Sequence, residues 1–187
     1  MGIFRSIKLL LEVRKAMKNS VQEFMQQQSE SLELTTEALA ALDDESLFFS
    51  AVNRAENIID DHEEMENGFA ALNDHQKVLF AVNLLESEVN NGGLCQFFVN
   101  SSRAVAPYIS GYLALIGAEE HKALFDGFIT RYQIDLNELS SFVIHRARDF
   151  EKMTMRYPFD EYDDAFYELP SLEEPLTRYI RANIDAF

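Results

Sequence analysis

The chain has 187 residues, 47% of them apolar, with 15 Phe, 7 Tyr and no Trp, which is material for one domain with a ring-rich core. Its one cysteine, Cys95, excludes an internal disulfide and a cysteine-built zinc site and fits a reducing, cytoplasmic setting. Against 16 Lys and Arg stand 32 Asp and Glu, a formal charge of −16; residues 1–18 carry +4, so residues 19–187 hold 11 bases and 31 acids, or −20. A field of that sign repels nucleic acid and anionic lipid and draws in basic proteins, so direct nucleic-acid binding by the main domain is not expected.

Taken in chain order, Ile3, Phe4, Ile7, Leu10, Leu11 and Met17 fall at near-helical spacing among Arg5, Lys8, Arg14, Lys15 and Lys18, the pattern of a short basic amphipathic helix. Its apolar run is too short for a signal peptide or a membrane span. It is expected to pack on the domain or on a second subunit, the latter giving a homodimer. A membrane-surface helix and N-myristoylation at Met1-Gly2-Ile3-Phe4-Arg5-Ser6 are the competing readings. The Gln- and Ser-rich stretch up to Leu34 reads as a frayed helix end and linker. This divides the chain into residues 1–34 and an acidic helical domain over 35–187.

Thr35 and Thr36 cap a short helix through Leu42, and Asp43 and Asp44 cap a longer one with the stripe Phe48, Ala51, Val52, Ala55, Ile58 and Ile59. The acidic run Asp60–Glu66 and Gly68 close it. Asn73 and Asp74 open the next helix, where Val78, Val82, Leu85 and Val89 fall at i, i+4, i+7 and i+11, and Asn90-Asn91-Gly92-Gly93 stops it. Leu94–Asn100 is short and apolar, and Phe97-Phe98-Val99 alone could form a strand, but no partner strand is evident and a helical turn is expected. Further helices follow: Ala104–Ile116, with Pro107 in its first turn and Gly117 at its end; one through Leu124, Phe125, Phe128, Ile129 and Tyr132; and one capped by Asn137 and carrying Leu139, Phe142, Val143, Ala147 and Phe150. After Tyr157-Pro158 an acidic, aromatic loop is expected. A last helix starts at Ser171–Pro175 behind a capping box and buries Leu176, Tyr179, Ile180, Ile184 and Phe187. The fold class is all-α, a single-domain multi-helix bundle with short loops.

The most distinctive segment contains Asn90, Asn91, Gly92, Gly93, Gln96, Phe97, Phe98, Asn100 and Ser101, with Glu88 before it and Ser102 after it. Gly92-Gly93 suits a sharp helix-to-helix turn, with Gln96 and Asn100 tying buried backbone groups together. A backbone nest for an anion is the alternative, and Glu86 and Glu88 argue against a phosphate there. On this segment the sequence resembles a bacterial DNA-mimic-protein-like family, whose shared core is Asn-Gly-Gly-x-x-Gln-Phe-Phe-x-Asn-Ser behind an acidic helix. Leu94 stands where an aromatic residue is expected. The resemblance covers roughly residues 45–155. It implies an all-helical domain and, by extension, an acidic surface that imitates DNA toward a DNA-binding protein; the motif itself would not perform the mimicry.

Two acidic clusters are the candidate partner-binding surface: Asp60, Asp61, Glu63, Glu64 and Glu66, then Asp160, Glu161, Asp163 and Asp164. Carboxylates spaced by helical turns of ~5.4 Å could occupy a basic surface that evolved for a duplex with one charge per ~1.7 Å of axis. Asp61, His62, Glu63 and Glu66 make a poor metal-ligand set, since a helical di-metal site needs paired Glu-x-x-His motifs. His75, His121 and His145 stand alone. Cys95 beside His75 or His145 could pair a nucleophile with a base, but between Leu94 and Phe97 it reads as a small apolar side chain. There is no P-loop, dinucleotide-binding glycine pattern or nucleophile elbow.

The expectation is therefore a bacterial, cytoplasmic, non-enzymatic binding protein without a cofactor or metal. It would occupy the DNA-binding surface of a basic transcription factor or nucleoid protein and regulate transcription by competition. An antitoxin- or immunity-like protein capping a basic toxin or nuclease has the same charge logic. A small hydrolase or metal-dependent enzyme is the third class.

Overall fold

The computed structural model describes residue 20 and residues 26–187. Residues 26–33 are helical. They are followed by α1 (Thr36–Ala40), α2 (Asp44–Asp60), α3 (Met65–Ala71), α4 (Asp74–Val99), α5 (Ala106–Leu115), α6 (Glu119–Tyr132), α7 (Ala147–Arg156), α8 (Asp160–Tyr167) and α9 (Glu173–Ala182). Short 3-10 turns lie at Ser101–Val105, Ser140–Phe142 and Ile184–Ala186, and there is no strand among the described residues, so the fold is all-α as expected. The basic N-terminal helix, with its membrane-surface, myristoylation and subunit-packing readings, lies outside the described residues.

The hub is α4, against which α2, α5, α8, α9 and the Ser101–Val105 turn all pack. The expected stripe Val78, Val82, Leu85 and Val89 is buried, and Leu79 and Ala81 on its flanks are buried as well, none of the six above 2% exposed. A helix enclosed on more than one side follows, and each fully buried Val or Leu contributes about 1.5–3 kcal/mol of gross stabilisation. Asn73 starts α4 with a capping box: its side chain accepts from the backbone of His75 and Gln76, and the Gln76 side chain accepts from the Asn73 N–H. Thr35 caps α1 through Ala38, and Asp43 caps α2 through Ser46, whose N–H and hydroxyl hold the Asp43 carboxyl below its ordinary range.

The segment read as a frayed helix end is tied to α2 where it is described. The Asn53 amide donates to the Gln28 carbonyl (2.8 Å) and the Ser31 hydroxyl (2.5 Å), and Arg54 donates to the Ser31 and Leu34 carbonyls. Ser31 is buried as a result.

Four local expectations are corrected. Gly68 does not close α2 but lies inside α3, where a Cβ would come 2.7 Å from the Ile59 Cα; a glycine there lets α3 fold back on the end of α2. The Asn137-capped helix is absent, because the Asn137 N–H donates to Asp135 Oδ1 (2.9 Å) in a tight turn. The chain then runs through a 3-10 turn into extended backbone at Val143, and seating the Phe142 ring 4.7 Å from Phe98 and 5.1 Å from Tyr157 outweighs the local helical period. The acidic segment after Pro158 is not a loop but α8, which buries Phe166. The full capping box at Ser171 does not form: the Ser171 Oγ accepts the Glu173 N–H at 3.1 Å, and the neighbouring Leu172 N–H donates to Glu86 Oε1 of α4 at 2.8 Å.

Phe97 and Phe98 are completely buried and anchor the second half of the molecule. Phe98 stacks against Phe125, Phe128 and Phe142, while Phe128 meets Phe159 at 5.3 Å and Tyr162 edge-on at 4.9 Å. This ring cluster joins α4, α6, the 3-10 turn and α8 into one core. By contrast α7 is anchored through Met153, with Phe150 and Met155 exposed.

Candidate partner-binding surface

In the last third of α4, Gly92 (φ −159°) and Gly93 (φ 77°, ψ 174°) break the helix, and a second helical segment resumes at Leu94. The Gly93 conformation belongs almost solely to glycine. A break leaves backbone donors unsatisfied, and side chains supply the acceptor: Asp163 Oδ1 of α8 takes the Leu94 N–H at 2.7 Å. A Cβ on Gly93 would sit 2.2 Å from the Asp163 Oδ2, so the glycine and the aspartate fit one another. The Tyr167 hydroxyl, four residues further along α8, donates to the Val89 carbonyl at 2.9 Å.

The polar residues of the motif converge on a carboxylate rather than on backbone, which corrects the role expected for Gln96 and Asn100. Glu88 accepts from the Gln96 amide (2.6 Å), from the Asn100 amide (3.0 and 3.1 Å) and from the Ser102 hydroxyl (2.9 Å). The Gln96 amide also passes over Gly92, where a Cβ would meet its Oε1 at 2.1 Å. A carboxylate satisfied by several donors needs no further partner, and it is Asp163 that already takes the Leu94 N–H an anion in the glycine turn would need. Asn90, Asn91 and Ser101 are exposed at the rim.

Cys95 is half-buried beside this brace. Burial first, then Asp163 and Asp160, push its thiol up to about 11, so at neutral pH it is protonated and a poor nucleophile. Of the histidines, His75 bonds the Tyr179 hydroxyl (2.8 Å), His62 bonds the Ile58 carbonyl (2.9 Å), and His121 is buried edge-on to Phe166 with its pKa lowered by burial. Among the described residues no group of three or more His, Cys, Asp or Glu is placed to hold a metal ion.

The two acidic clusters differ in kind. Asp60, Asp61, Glu63, Glu64 and Glu66 occupy the corner from the end of α2 to the start of α3; all five are exposed, and none takes part in an ion pair among the described residues. Glu56, one turn before Asp60, has its carboxyl raised by the protein around it and then by Asp60. The second cluster lies on α8 and is partly committed: Asp163 is half-buried on Leu94, with its carboxyl raised by burial, and Glu161 faces Arg131 at 3.5 Å. Asp160 and Asp164 remain exposed. Sequence reasoning missed the structural use of Asp163, Glu88 and Glu86, and only the isolation of Glu88 within the apolar face of α4 hinted at it.

No helix among the described residues is long and apolar enough to cross a membrane. No curated protein and no solved structure matches the chain. A family model described as DMP19-like protein matches residues 70–183, more than half of the sequence. That span starts later than the expected 45–155 and runs further, through α8 and α9, taking in both the glycine break and the helix that caps it. The chain belongs to the DMP19-like protein family.

Proposed function

We propose that this protein is a non-enzymatic DNA mimic of the cytoplasm, occupying the DNA-binding face of a basic transcription factor or nucleoid protein and inhibiting it by competition. One observation carries the reading: five exposed carboxylates, none in an ion pair among the described residues, lie within seven residues at the α2–α3 corner, with Asp61, Glu63 and Glu64 in the turn between the two helices. Like charges held together cost stability, and a fold that gathers them at one exposed corner is suited to meeting a surface that supplies the opposite charge. A partner built to neutralise phosphates brings Lys and Arg at the density required and gains from counterion release. Membership of the DMP19-like family supports the same reading.

The test is capture of partners from host lysate on the immobilised protein, with the bound fraction challenged by duplex DNA and, separately, by salt. Release of DNA-binding proteins by DNA, together with steep weakening by salt and by Asp60→Asn, Asp61→Asn, Glu63→Gln and Glu64→Gln combined, is the expected result. Retention of a partner indifferent to DNA would refute mimicry and point to an immunity-like role, and salt-insensitive binding would refute the electrostatic basis of both.

A further inference from the structure

Next to the acidic corner, α3, α4 and α5 enclose an open groove of about 390 Å³. One wall is aromatic: Tyr108 and Tyr112 stack with centroids 5.9 Å apart and planes 15° apart, and Phe69 closes on Tyr108 at 5.4 Å. Tyr108 is 47% exposed, although aromatic rings elsewhere in this chain are mostly buried. The other wall carries Glu66, Asp74 and Lys77. Glu66 belongs to both the groove and the acidic corner, so the two form one continuous surface.

We propose that this groove is an arginine-binding subsite, which takes a guanidinium from the basic partner between the Tyr108–Tyr112 stack and the Glu66 and Asp74 carboxylates. This rests on the reading of the protein as a binder of basic partners, and it names the side chain that this part of the surface selects. A planar, weakly hydrated guanidinium can stack on a ring face while its edges donate to carboxylates, whereas a compact, strongly hydrated ammonium gains less from the ring. The chain's own Lys77 already shows that the groove accepts a cation, its Nζ lying 3.9 Å from Asp74 Oδ1. The Asp74 side chain is fully exposed, so this pair is weak and an incoming arginine can replace it. Two carboxylates against one lysine leave the groove net negative. The Tyr112 phenol reflects these surroundings, raised by burial first and then by Tyr108, Asp74 and Tyr179. A groove of this size has room for an extended arginine side chain.

The test uses the full chain with fluorescein-labelled hexa-arginine and hexa-lysine peptides, followed by anisotropy at low salt. Hexa-arginine should bind more tightly than hexa-lysine. Tyr108→Ala should weaken hexa-arginine about two- to fivefold, the loss of one exposed cation–π contact, and hexa-lysine less. Tyr108→Phe should retain wild-type affinity. Because Tyr108 is exposed, the alanine variant should keep the wild-type circular dichroism spectrum, and that spectrum is the folding control. Unchanged hexa-arginine affinity in Tyr108→Ala overturns the subsite. If the corner variants then still weaken both peptides, the acidic-surface reading survives without the groove; if neither peptide binds the wild type at low salt, both ideas fail together. A Tyr108-dependent arginine preference combined with lysate partners indifferent to DNA would establish the subsite and refute mimicry.

Discussion

Replacing Gly93 by alanine should be among the most damaging single-methyl changes in the fold. Two costs combine. The backbone at φ 77° and ψ 174° lies where only glycine rests comfortably, and forcing a side chain there costs about 1–3 kcal/mol. The new Cβ would lie 2.2 Å from Asp163 Oδ2, so that carboxylate must swing away, leaving the Leu94 N–H without its acceptor at a further cost of about 1–3 kcal/mol. A total of about 2–6 kcal/mol is a large share of the about 5–15 kcal/mol that holds a domain together. Urea unfolding followed by far-UV circular dichroism measures it. Gly111→Ala and Gly127→Ala are the controls: each lies inside a helix with no atom within 4 Å of a built Cβ, and each should stabilise by about 0.5–1 kcal/mol. In an Asp163→Ala background the clash is gone, so Gly93→Ala should there cost only its backbone part. Equal costs in the two backgrounds, or a Gly93→Ala protein as stable as wild type, would refute the mutual fit of glycine and aspartate.

Glu88→Ala strands the Gln96 amide and loosens Ser102, and a loss of about 2–3 kcal/mol in the same urea assay is expected; a neutral result would mean that water serves these donors equally well. Cys95, with its thiol pushed up to about 11, should react with a disulfide reagent at neutral pH roughly tenfold more slowly than an ordinary cysteine, the smaller thiolate fraction being partly offset by higher nucleophilicity, and a rate typical of a free thiol would contradict its setting. Burial lowers the His121 pKa, so the unfolded chain takes up that proton first and stability falls as pH drops below the ordinary value of 6.5 toward the folded one. Asp163, its pKa raised, acts in the opposite sense: its contribution is complete below 3.8 and is lost as pH rises through its folded value. His121→Leu should therefore flatten the first decline in a plot of urea midpoint against pH, and an unchanged slope would remove His121 as its source.

Much of the fold was legible because caps and apolar periods agree locally. Thr35, Asp43 and Asn73 cap the helices their positions predict, and the valine stripe of α4 is the core. What could not be read depends on contacts distant in sequence. The start of α9 shares its acceptors between the local Ser171 hydroxyl and the distant Glu86, which takes the Leu172 N–H; Phe142 is held by Phe98 and Tyr157, which breaks the helix its neighbours favour. Gly68 resembles a helix stop in sequence, whereas its function is to admit the Ile59 backbone. Composition identified the acidic stretches, but the direction in which each carboxylate points is a tertiary property.

That direction separates the acidic residues into two uses. Glu86 and Asp163 accept backbone N–H groups that the start of α9 and the break in α4 leave open, and Glu88 accepts from the Gln96, Asn100 and Ser102 side chains, so all three carboxylates are hydrogen-bonded within the fold. The carboxylates at the α2–α3 corner take part in no ion pair among the described residues, so neutralising them should leave the fold intact or stabilise it by relieving repulsion. The two uses give opposite signatures. Glu88→Ala should lower stability, and combined corner substitutions should lower partner affinity at constant or increased stability. Corner variants that unfold as readily as Glu88→Ala would mean that these residues too are structural. The separation would also fail if Glu88→Ala weakened partner binding while leaving the urea midpoint unchanged, because the brace would then itself be part of the surface the partner contacts.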